Sequence, residues 1–204
     1  MNAGFASLTK LKEQLLAASL RASTAYDAQI LSIGRGVAAQ FECVCNRKFA
    51  RVVNDHCSFP ADRRHYYLPR FPVESIALCE KQDTVRDGWQ TLTDLIQSQD
   101  LEKGYIFFAA IQGVYWSNLR ITYTGGFWWD TSEDGTGVCP TGAATLPDDL
   151  MLGWYHQCKH IWNMTDKLGV GISQDPAKQD QGGKVEMLKI VLDLIDNMKR
   201  YQIS

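Results

Sequence analysis

Several features are missing from this 204-residue chain, and each absence removes a class of protein. No stretch approaches the roughly 18 consecutive apolar residues of a membrane-spanning helix. Neither charge sign dominates: 21 Lys and Arg stand against 23 Asp and Glu, a formal net charge of -2. That balance excludes a protein whose main business is an electrostatic grip on phosphates, which needs clustered cations. The opening MNAGFASLTKLKEQLL has no continuous apolar core behind a basic start and reads as carrying no signal peptide. There is no phosphate-cradling glycine loop, no nucleophile elbow and no convincing pair of carboxylates. The six cysteines, at 43, 45, 57, 79, 139 and 158, are irregularly spaced, and Cys43 and Cys45 lie too close for an easy bridge. Without a secretion signal, buried free thiols are the expectation rather than a disulfide framework.

What is present is ordinary globular material, 45% hydrophobic and 22% charged. Ser7 or Thr9 can cap a helix over residues 7–21 whose leucines recur at helical spacing. In the next stretch Tyr26, Ile30, Ile33, Val37, Phe41 and Val44 step by threes and fours, one face of a long amphipathic helix. Ser23 or Thr24 can cap it. Gly34 and Gly36 in its interior cost about 1 kcal/mol each against Ala, which suggests close approach by a neighbouring element, with local flexibility as the alternative. After Phe49 the texture changes to turn residues and short apolar runs. Pro69 and Pro72 forbid a helix, Val73–Cys79 reads as a strand, and GYIFFAAI and NLRITYT are further strand candidates. Pro147, Asp148 and Asp149 open another helix.

The predicted class is therefore α+β: a bundle of about four helices with an inserted antiparallel β-sheet of four to six strands. The expected organisation is a single domain over residues 1–204. It comprises an N-terminal helical pair at 7–49, a β-rich insertion at 50–126, a core helix at 147–166 and a C-terminal helix at 184–201. The last helix has an unusually wide apolar face, since Val185, Leu188, Val191, Leu192, Leu194, Ile195 and Met198 spread over half its circumference or more. Such width fits burial on two sides, against its own domain and against another chain, or a fully central helix. The polar loops 131–146 and 169–183 are candidates for contacts that order on binding.

The order of these pieces resembles the head–tail connector, or adaptor (head completion), proteins of tailed bacteriophages and related phage-like particles. Three stretches carry the resemblance. LTKLKEQLL and the Tyr26–Phe49 helix ending in NRKF are similar to that family's paired N-terminal helices. YLPRFPVESI looks like its Leu-Pro-Arg-x-Pro-Val-x-Ser-Ile segment. LRITYTGGF, a loop, and LPDDLMLGWYHQCKHIW resemble its glycine-ended strand and the Leu-Pro-x-Asp-Leu opening of its next helix. Together they span most of residues 8–165, although the 131–146 loop is long for the family.

The resemblance implies a structural virion protein at the head–tail junction, made in the host cytoplasm. It implies a homo-oligomeric ring, commonly dodecameric, that binds the portal and tail or stopper proteins. Double-stranded DNA passes through its lumen without specific binding, with no membrane, no cofactor and no catalysis. Leu188, Val191, Leu192, Leu194, Ile195 and Met198 are then the candidate interface with portal or sibling subunit.

Other candidates come with competing readings. Phe127, Trp128 and Trp129 in GGFWWD could be an exposed aromatic platform for carbohydrate or nucleic acid, a cover over the passage from sheet to helix, or a subunit interface. His156 and His160 lie four apart on one helix and could share a Zn²⁺ in a metal-dependent hydrolase, but the glutamate of HExxH is replaced by Gln157. A place at a ring interface is the alternative. CVC at 43–45 with HC at 56–57 has the ligand types of a zinc site but not the spacing. Arg63, Arg64 and Arg70, near Asp62, form a charged channel or rim, or a solvated edge.

Overall fold

A computed structural model describes residues 2–60, 63–84, 86, 88–108, 118–170 and 187–199, without the side chains of residue 95 and residues 165–170. Asp62, Asp87, Val185, the end of GYIFFAAI and most of the 169–183 loop fall outside them. The fold is α+β, as the sequence predicts. The chain divides into two compact units.

The helical unit comprises residues 1–45, 129–138 and 146–199. Its elements are α1 (Leu8–Leu15), α2 (Asp27–Cys45), α3 (Asp148–Val170) and α4 (Lys189–Asp196). Ser7 caps α1 through Lys10 N–H. The chain leaves α1 at Leu16, short of the expected 21, and makes a 3-10 turn at Ala18–Leu20. Ser23 does not cap α2. Its hydroxyl accepts from Ala25 N–H in the turn before it.

The buried stripe of α2 is Ile30, Gly34, Val37, Phe41 and Cys45. Tyr26 and Val44, at the ends of the predicted stripe, are exposed. Gly34 and Cys45 carry the face instead, because glycine accepts a backbone neighbour that no larger side chain could.

That neighbour is the N-terminal segment. A Cβ on Gly34 would lie 2.1 Å from the Ala3 carbonyl oxygen, while one on Gly36 would meet nothing within 4 Å. Close approach explains the first glycine only. Trp154 of α3 is wholly buried and donates its indole N–H to Gly34 O at 3.0 Å. Phe5 packs edge-on against Phe41 and Trp129, with ring centroids 5.9 and 5.3 Å away.

The sheet unit comprises residues 46–128, 139–145 and 200–204. β1 (Val52–Pro60), β7 (Asn118–Gly125), β3 (Val73–Gln82) and β4 (Gln90–Thr91) form an antiparallel sheet in that order. β2 (His65–Tyr67), β6 (Tyr105–Phe108) and β5 (Ile96–Asp100) form a second antiparallel sheet. β8 (Phe127–Trp128) pairs in parallel with β9 (Ala144–Thr145). β7 is central, and its alternation sends Leu119, Ile121 and Tyr123 inward. They share one core with Tyr66, Leu68, Ile106 and Phe108.

Candidate interaction surfaces

GGFWWD belongs to the packing of the units. Gly126 has φ +95°, and a Cβ there would lie 2.6 Å from Ala50 O. Glycine lets β7 end and the chain turn so tightly. Phe127 is then buried, its N–H donating to Phe49 O at 2.7 Å, and its ring stacks on Phe49. Trp128 is half-buried and closes the sheet unit. Trp129, also half-buried, opens the next stretch of the helical unit against Phe5. The three rings do not form one flat exposed platform: Phe127 is used in the core and Trp129 is engaged by Phe5.

Sequence reasoning missed the group that organises this corner of the sheet unit. Arg47 is only 4% exposed. Its guanidinium carbon sits 3.4 Å from the centre of the Phe71 ring, 4.8 Å from Phe49 and 5.2 Å from Phe127, and it donates to Phe71 O. A flat, weakly hydrated cation suits an aromatic enclosure. The sequence signal was the NRKF end of the helical pair, which gives no hint of the distant rings.

Of the three arginines expected on a channel or rim, Arg63 and Arg64 are exposed. Arg70 is largely buried, bonding Asp55 Oδ2 at 2.8 Å and Ala50 O, so it ties the unit together. Beside it, burial raises the Tyr123 phenol well above its usual range.

In the helical unit, His156 is exposed and His160 half-buried. Among the described residues no three His, Cys, Asp or Glu side chains come together as a metal-binding group. Cys158 is buried away from solvent, and burial pushes its thiol far up; Cys79 of the sheet unit is pushed up to about 12 for the same reason. Cys43 is exposed.

α4 divides its apolar residues sharply. Val191 and Ile195 are wholly buried in their own unit. Leu188, Leu194 and Met198 are half-buried. Leu192 is 40% exposed and Ile190 61% exposed. At about 100° per residue, Ile190 and Leu192 fall on opposite flanks of the buried stripe. The wide face seen in the sequence is thus a core stripe with an apolar shoulder on each side. The buried Gln157 of α3 anchors this helix, accepting Leu188 N–H at 2.9 Å.

The exposed side of α3 lines a shallow groove of about 360 Å³, with Gln14 of α1 on its edge. Met151, Leu152 and Tyr155 form its apolar floor, with Asp148 at one end and His156 and Lys159 towards the other. Leu152 is 54% exposed.

No family model matches the chain, and no curated protein matches it in sequence. Solved structures do. The chain is similar to one in the neck of an empty gene transfer agent (GTA) particle computed with C6 symmetry, with a TM-score of 0.60 and 16% identity over 97% of this chain and 90% of that one. It is equally similar to a chain in the virion of a native gene transfer agent particle, with a TM-score of 0.60, 15% identity and the same coverage. These likenesses establish a shared fold over nearly the whole chain.

Proposed function

We propose that this chain is a non-enzymatic, ring-forming structural protein of the neck of a phage-like particle. In this reading it is an adaptor that joins the capsid portal to the tail and extends the DNA channel. The observation that carries the proposal is the fold, matched along 97% of the chain by a neck protein of a particle computed with sixfold symmetry. The ordered adaptor-like sequence motifs support it independently. A net charge of -2 suits a channel wall past which DNA slides, because strong phosphate contacts would hold it.

The residues proposed for contact with portal or sibling subunit in the last helix reduce to its accessible shoulders, chiefly Leu192 with Ile190. Arg63 and Arg64 are the proposed rim charges. His156 and His160 belong to the proposed subunit surface. Co-sedimentation with portal rings tests the reading. Stoichiometric binding that leaves the particle's other components dispensable is expected, and failure to bind portal under any salt condition contradicts it.

A further inference from the structure

We propose that residues 2–7 are a lock on the packing of α2 against α3, and that freeing this lock loosens the helical unit while the sheet unit stays closed. The segment leads into α1 and folds back as a hook. Ala3 N–H donates to Ala6 O at 2.9 Å, and Gly4 N–H donates to Asn2 Oδ1 at 2.9 Å. A bridge between Asn2 and Ser7 closes it. Ala3, Phe5, Ala6 and Ser7 are each no more than 2% exposed, so the hook belongs to the core of its unit.

The hook meets both helices at one place. Gly34 of α2 receives Ala3 O on its bare face, and its own carbonyl accepts the Trp154 indole N–H of α3 at 3.0 Å. Gly4 has φ +119°, and a Cβ there would lie 2.7 Å from Gly34 O and 2.9 Å from the Trp154 ring. Phe5 follows, its ring centroid 5.9 Å from that of Phe41 on α2 and 5.8 Å from that of Trp154 on α3. A glycine on the hook and a glycine on α2 thus crowd around the hydrogen bond that joins the two helices, at distances no side chain would allow.

Shape, rather than bonding, seats the hook. Among the described residues, residues 3–6 make no hydrogen bond to α2 or α3. The tie at the tip is Arg35 Nε donating to Asn2 O at 3.1 Å, and both residues are exposed. The seat therefore depends on the packing of Phe5 and on the turn that Asn2 closes, which gives the helical unit a local opening reaction of its own. The sheet unit has its own core around Ile121 and Tyr123, and loss of the hook leaves that core in place.

Two buried thiols read the two units separately in the full-length chain. Cys158 lies one turn along α3 from Trp154, on the same face, and Cys79 lies in the sheet core. Labelling by a thiol reagent under native conditions, followed site by site by mass spectrometry, measures how often each is uncovered. Phe5→Ala should speed labelling of Cys158 about a hundredfold, the scale of an emptied buried phenyl site, and leave Cys79 within about twofold of the parent. Asn2→Ala removes one exposed bond and should speed Cys158 about threefold. Asn2→Ala decides the matter where Phe5→Ala leaves too little folded chain to label. Equal acceleration of both thiols makes the hook an ordinary part of one cooperative core and overturns the lock. A Cys158 rate that neither variant moves overturns it too.

Discussion

Arg47 shows how much one side chain can hold. Enclosed by Phe49, Phe71 and Phe127, it couples three separate stretches of the sheet unit. Arg47→Met keeps the bulk but loses the cation and the bond to Phe71 O. We expect a loss of about 2–4 kcal/mol in chemical denaturation, the range for a buried network. Lys12 plays a similar part in the helical unit. Its side chain is 9% exposed, and its ammonium donates to Ser23 O at 2.6 Å and Asp27 Oδ1 at 2.7 Å, tying α1 to the start of α2. Cys45, Cys79 and Cys158 are buried as the sequence suggested, whereas Cys43 is exposed and Cys57 and Cys139 are half-buried. A thiol reagent at neutral pH should label Cys43 at once, while Cys79 and Cys158 react only on unfolding, because burial keeps both protonated. Labelling of Cys158 in the native protein at the rate of Cys43 would contradict the buried position.

Among the elements, α2 offers the sharpest contrast. Gly34→Ala forces a methyl group onto Ala3 O and should cost about 2–3 kcal/mol. Gly36→Ala points into open space and should stabilise by up to about 1 kcal/mol. Thermal melts of the two variants shifting in the same direction would refute this assignment. The loop following Trp129 has an electrostatic signature. Hydrogen bonds from Ser132 and the Lys10 ammonium at 3.5 Å hold the Asp130 carboxyl below its usual value. A carboxyl depressed on folding adds stability above its unfolded value of 3.8, and that stability is lost as pH falls through the lower folded value. Stability should therefore decline below about pH 4, less steeply in Asp130→Asn, as measured by urea titration at several pH values.

Periodicity made the long helices legible, because a 3.6-residue pattern over many turns survives local exceptions. It also marked the apolar face of the last helix as unusually wide. It could not resolve that width into a stripe and two shoulders, since what separates Val191 from Leu192 is the position of α3. β4, β8 and β9, two residues each, leave no pattern to read. The Arg47 enclosure was invisible because its rings are up to about eighty positions away.

At the scale of the whole molecule, the exposed apolar shoulders of α4 are a cost for a solitary chain and an asset for a ring. Each surface alone is weak, and repetition around a closed ring multiplies it. Electron microscopy of the purified full-length chain, alone and mixed with portal rings, tests the central claim most directly. The account predicts closed rings of one rotational symmetry with a central channel wide enough for duplex DNA. A chain that stays monomeric at its highest soluble concentration and leaves portal rings undecorated would contradict it.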